Sequence, residues 1–523
     1  MNIFKTIFVT GCIAALSLGC TSDFEETNIN PNTITVGQIR ASSMFEPLLY
    51  DGANDWLNQT WFWNDELIQF TAFTGGVTRQ EHRYSISDGN WQGTWDLYAR
   101  YAINTLHMCD LAVEQEDQSL QAVALTLKVL YLSNLTDMFG DIPYAEAFMA
   151  RKPGGTTTPK FDSQEEVYKE MFADLEAANA LYATGPVFLK PKLDGMYGGS
   201  MDAWRKFNNS LYLRLLCRVS GRKEMAVGAK MTEILNNPTT YPVFTSNADN
   251  ATVKFSGTDP YRNKFTTTSE GEFTTSGRKL TQQLIKMTVI TDVNGNQVYQ
   301  DPRLPIIGRK KVSAAENPKG IWIGTVSGGK ADQQSAADRG AAFLNAKVFC
   351  RADAPAYFMD YAEVQFILAE AALKGYITGG EDAAMTYYTQ AVTASVQKWA
   401  ELGKYSDTPV TIIDGDIQTF LESDLASWDR AEDKEALIAG QKFLALFWTG
   451  MEAYHEYRRT GYPVLTIGEG TVYNSYILPT RFAYPTTTMA TNAANAQIAL
   501  ERMGGDNNMK TPVWWSKQAI EGK

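Results

Sequence analysis

The sequence predicts a mostly α-helical chain: tetratricopeptide-like helix pairs forming a scaffold, with a loop-rich middle section carrying short strands. Three observations lead there. Apolar residues recur at helical spacing through 36–235 and again through 358–457. Between about 241 and 356 the periodicity fails, and Gly, Thr, Ser and Asn take over around strand-like pieces at 251–255 and 320–324. The stretch 361–399 reads as two helices in close contact, with small residues on the facing side.

The first element is an address rather than part of the fold. Residues 1–19 hold one cation, Lys5, an apolar run of about a dozen residues and no acid, the anatomy of an export signal. The run is shorter than the ~20 residues that span a membrane. Leu16-Ser17-Leu18-Gly19-Cys20 resembles a lipobox, with Ser17 where the motif usually has Leu, so Cys20 is the expected lipidated N-terminus. The polar stretch 20–35 then reads as a tether, acidic at first and turn-like at Asn28-Ile29-Asn30-Pro31-Asn32.

One domain, 36–523, is expected to follow: helical scaffold at 36–240 and 357–460, loop-rich insertion at 241–356, irregular segment at 461–523. Candidate helices are 36–50 (ended or kinked at Pro47), 55–73, 93–114, 119–139, 163–182, 201–220 and 222–235. Helices resume at 358–374, 381–402 and 433–457. In the 361–399 pair, Ala362, Ala369, Ala371 and Ala372 permit close approach and Gly375 ends the first helix. Ala383, Tyr387, Ala391 and Val392 continue the inward face, as in a tetratricopeptide repeat of about 34 residues.

Charge and cysteine usage narrow the function. A net charge of −12 without a basic stripe gives no footprint for nucleic acid. Five cysteines, with Cys12 in the leader and Cys20 lipidated, leave Cys109, Cys217 and Cys350, an odd set and no disulfide framework. Histidines number three. His455-Glu456-Tyr457-Arg458-Arg459 starts like a zincin helix but has Arg where the second His belongs, so no metal is expected there. The run 324–330 approaches a phosphate loop, yet Ala331 replaces the Mg²⁺-binding hydroxyl. Asp292-Val293-Asn294-Gly295-Asn296 is a calcium-loop fragment or, more simply, a hairpin turn. No Gly-x-Ser-x-Gly elbow occurs. The chain reads as a binding protein, without catalytic residues, cofactor or metal.

Several stretches are specific. Residues 135–148 (LTDMFGDIPYAEAF), 202–219, 301–305, 361–375, 436–463, 478–485 (LPTRFAYP) and 504–515 together resemble the SusD/RagB family of Bacteroidetes lipoproteins, nearest its second SusD-like subgroup. The resemblance implies an outer-membrane, surface-facing lipoprotein that binds a nutrient, usually a glycan, and sits on a SusC-like TonB-dependent transporter. Peptide uptake, or a mainly structural lid, is the alternative it leaves open. Within the motifs, Gly140 and Pro143 shape a turn, and Arg458, Arg459 and Arg481 read as architectural clamps on carboxylates or carbonyls.

Glycan capture calls for flat aromatic faces against C–H groups and polar side chains against hydroxyls. The 12 Trp and 25 Tyr supply many. Aromatics in helical periodicity are expected in the core, and those in loops at the ligand. The expected platform is Trp91, Tyr84 and Trp322, with Tyr261 and with Arg79 or Arg83.

Overall fold

The computed structural model describes residues 39–74, 80–267, 273 and 277–522. The leader, Cys20, the tether and Arg79 lie outside them. The described residues open with a helical run in which Ala41–Glu46, a π-helical Pro47–Asp51 and Gly52–Gln59 follow one another. Pro47 thus sits inside the run rather than ending it. The helix stops at Leu67, and Thr71–Phe73 is a strand where helix was expected.

Four helices then pack each on the next: Asp88–Glu114, Gln118–Phe139, Gln164–Ala183 and Met201–Arg218. Ser163 caps the third in a capping box with Glu166, which satisfies end N–H groups. Only Val227–Asn236 of the expected 222–235 helix is α-helical. The Tyr361–Leu373 and Gly380–Ala400 helices form the expected pair, turned at Gly375 with φ +72°. In its second helix Ala391 and Val392 of the expected face are buried, but toward the start Ala384 and Tyr388 are buried in place of Ala383 and Tyr387, which are only partly so.

The expected 433–457 helix is two, Lys434–Ala445 and Glu452–Thr460. Trp448 (φ +65°) and Gly450 (φ +56°) break it. The break carries Trp448 into a cluster with Trp61, Phe265, Phe349 and Phe447, and brings bare backbone onto Trp56. A Cβ on Gly450 would lie 2.2 Å from the Trp56 ring, so the position demands glycine.

The middle section is tied to the scaffold at both ends. Ala251–Val253 pairs antiparallel with Ala356–Met359. Thr71–Phe73, Arg278–Leu280, Phe343–Leu344 and Gly308–Arg309 make a four-stranded sheet in that order, so the section shares a sheet with the N-terminal run. Val289–Thr291 and Gln297–Gln300 close the expected hairpin around Asn294-Gly295. The 320–324 piece is not a strand; it leads to Thr325, which forms a single bridge to Thr281. The segment after Gly461 holds short helices, Thr486–Thr491, Ala493–Met503 and Lys517–Glu521, amid irregular chain.

Buried ions join the two halves. Arg214 donates Nε and Nη2 to the two oxygens of Glu363, each at 2.6 Å, and Arg218 reaches Asp137 at 3.0 Å and Glu452. Arg459 bridges Glu370 and Glu456, Arg458 donates to the carbonyls of Asp137 and Thr480, and Arg481 to those of Phe139 and Phe482. These arginines fasten the returning C-terminal segment to the helices.

Candidate binding surfaces

The expected platform does not form as one surface. Tyr84 ends a short 3₁₀ turn in the left-handed region and is 1% exposed; burial raises its hydroxyl pKa above the usual range. A ring so enclosed has no face for a ligand. Trp322 is 4% exposed, its Nε1 donates to Gln300 at 2.7 Å, and Lys310 stands 5.2 Å from its ring. It therefore walls a cleft of about 390 Å³, with Arg309, Asn345 and Asp407, rather than offering a stacking face. Trp91 is not in a loop: the Asp88–Glu114 helix starts five residues earlier than predicted and holds it in its first turn, half-buried. Tyr261 is partly exposed, leaning on Tyr50 at 4.6 Å and bonded to Glu46 of the first helical run.

Arg83 leads to a different surface. Its Nε donates to the Gly329 carbonyl at 2.8 Å and its Nη2 to Gln334 at 2.6 Å. Beside it His82, 1% exposed, accepts at Nδ1 from the Gly328 N–H at 3.0 Å. Burial, with the Arg83 and Arg278 cations, holds the His82 pKa down at about 3, so the ring stays a neutral acceptor. These two side chains fix the 326–330 loop. That loop in turn carries the C-terminal segment: Gly470 N–H donates to the Gly328 carbonyl at 2.7 Å, and a Cβ on Gly468 would lie 2.3 Å from the same oxygen. Only glycine backbone approaches this closely.

The turn built on this support displays aromatic rings. Tyr473 is 59% exposed and Tyr476 56%, and among the described residues no other aromatic side chain is more than about a third exposed. Val472 and Ile477 flank them, also exposed. Ser475 and Tyr476 have φ of +56° and +63°, conformations that cost non-glycine residues energy and persist only when the surroundings impose them. Thr471, fully buried, donates to the Gly468 carbonyl at 2.7 Å, and Asn474 donates to the Ile477 carbonyl at 2.8 Å. The rings are thus held out on a braced, strained turn.

A cleft of about 200 Å³ opens on the same segment, where Thr466 and Gly468 meet Gln69, Gln282, Gln283, Lys286 and Ser327. Gln69 Nε2 donates to the Thr466 carbonyl at 2.7 Å. The side chains of Gln282 and Gln283 make no hydrogen bond to the described residues. Exposed rings on a segment that also borders a cleft of amides and a cation suit a ligand with both apolar faces and hydroxyl edges. Sequence reading passed over Tyr473 and Tyr476 because the chain after Gly461 lacks periodicity to separate core from surface; the irregular, turn-rich context was the available signal. Among the described residues no helix is long and apolar enough to cross a membrane.

Comparison with known proteins gives a consistent result. A family profile described as SusD-like, "Starch-binding associating with outer membrane", matches residues 31–485. Among solved structures, a SusD homologue from Bacteroides fragilis shares 22% identity over 91% of this chain and 99% of its own, with a TM-score of 0.72. One from Parabacteroides distasonis shares 21% over 91% and 98%, with a TM-score of 0.75. A chitin-binding SusD homologue from Flavobacterium johnsoniae shares 22% over 91% and 98%, with a TM-score of 0.70. These likenesses establish the fold. A search of curated proteins gave no match.

Proposed function

The chain belongs to the SusD-like family, and from that premise we propose that it is a glycan-binding lipoprotein of the outer membrane, without catalytic activity of its own. Cys20 carries the lipid, the fold faces the cell exterior, and captured glycan passes to a SusC-like TonB-dependent transporter. The family description and the chitin-binding relative support the glycan class. The single observation that carries the reading is the pair of exposed tyrosines on the strained 472–477 turn.

In this account Tyr473 and Tyr476 lie against the C–H faces of successive sugars, while Gln282, Gln283 and Lys286 meet hydroxyls. Arg83 and His82 are positioning residues that hold the supporting loop. Aromatic faces suit the task because a tyrosine loses little conformational freedom on binding and stays rigid. Trp322, Tyr84, Trp91 and Tyr261 become packing residues.

The test is a retention screen of the chain carrying Cys20→Ser on immobilised starch, chitin and a mixed peptide pool. Retention by a polysaccharide, abolished in the Tyr473→Ala/Tyr476→Ala double variant, supports the proposal. Retention of peptides alone would assign the chain to peptide uptake, and retention of nothing to a structural lid.

A further inference from the structure

We infer that a second site, for a carboxylate-bearing sugar, lies in the cleft between the start of the Gln164–Ala183 helix and the C-terminal segment. It is separate from the tyrosine turn and does not depend on it. The cleft encloses about 590 Å³, within the ~300–1,000 Å³ of small-molecule sites. Trp514, Met503 and Pro512 give it an apolar wall, and Arg222 and Arg502 give it charge.

The hydrogen bonds of those arginines are the argument. Arg222 places its guanidinium 4.9 Å from the Trp514 ring and spends Nε and Nη2 on the Trp514 carbonyl, leaving Nη1 without a partner among the described residues. Arg502 spends Nε on Asp141 at 2.6 Å and Nη2 on the Phe161 carbonyl at 2.9 Å, and its Nη1 likewise has no partner among the described residues. The acids of the cleft are already occupied: Asp141 also accepts from the Gln164 N–H at 2.8 Å, and Glu165 pairs with Lys169 at 2.5 Å. Free donor edges on two cations, with the local anions engaged, select an added anion. Partial burial lowers the Arg222 pKa, so a bound anion also offsets an existing cost.

The rest of the wall decides which anion. Trp514 offers an indole to one face of a ring. Gln518 adds an amide. A hexuronate unites these needs: a pyranose face, hydroxyl donors, and a planar carboxylate of the geometry guanidinium groups prefer.

Calorimetric titration of the Cys20→Ser chain with trigalacturonate, its methyl ester and trialanine tests this. The expected result is binding of trigalacturonate that weakens at least tenfold on esterification and at least tenfold in Arg222→Gln or Trp514→Ala. The ester comparison uses unsubstituted side chains, so it holds even if a variant folds poorly. Equal affinity for the ester, or no binding of trigalacturonate, would overturn the inference; trialanine binding as tightly would overturn the sugar assignment.

Discussion

Replacing Arg214 with Met is the sharpest test of how the two halves are joined. Arg214 and Glu363 have side chains 3% and 2% exposed, and Glu363 receives both of its 2.6 Å bonds from this guanidinium. Met fills similar volume but strips the carboxylate of its bidentate partner, with only the Lys442 charge still acting on it. Breaking a buried pair from one side costs about 3–5 kcal/mol. Unfolding entropy of about 2.1 cal/mol/K per residue over 523 residues is roughly 1 kcal/mol per kelvin, so the melting midpoint should fall by about 3–5 °C. Burial already raises the Glu363 pKa despite Arg214. With the cation gone, protonation becomes the escape, and the loss should be smaller at pH 5 than at pH 8. Arg214→Met/Glu363→Leu should recover most of the midpoint, since a buried pair replaced on both sides is often near neutral. Differential scanning calorimetry at both pH values reads all of this. A single variant within 1 °C of the parent, or a double variant as unstable as the single, would refute the reasoning.

Other outcomes follow from the same physics. Because the folded His82 pKa of about 3 lies below the ordinary imidazole value of 6.5, its contribution is present above pH 6.5 and lost at about 1.4 kcal/mol per pH unit below it. His82→Gln, which keeps an acceptor for Gly328, should lose about 2 °C less than the parent between pH 6.5 and 5 in thermal melts. Asp65 is fully buried, which pushes its pKa up to about 8; keeping it protonated at pH 7 costs on the order of 4 kcal/mol that is absent below pH 4. Asp65→Asn should therefore raise the midpoint at pH 7 and not at pH 4. Gly450→Ala meets both the Trp56 ring and a φ of +56°, and soluble yield and melting midpoint should drop by the equivalent of about 3 kcal/mol or more.

Much of the scaffold was legible because helical burial leaves a periodic trace. The boundaries at Phe139, Ser163 and Met201, and the turn at Gly375, follow from capping and glycine chemistry within a few residues. What failed depends on partners distant in sequence. Nothing local to 446–451 announces that Trp448 must leave the helix to join Trp61 and Phe349, nor that Thr71–Phe73 finds a strand partner at Arg278–Leu280. The expected site failed for a similar reason: Trp322 and Tyr84 sit in loops, yet those loops pack against the body and bury them. The clamps were legible as arginines but not as to which anion each meets; only the fold pairs Arg459 with Glu370, 89 positions away.

Titration of the Tyr473→Ala/Tyr476→Ala variant against the polysaccharide retained in the screen asks whether the braced tyrosine turn binds glycan. Two aromatic contacts at about 0.5–1.5 kcal/mol each predict a Kd weakened roughly 5- to 150-fold, with an unchanged melting midpoint because both rings are exposed. A Kd within twofold of the parent would contradict the account.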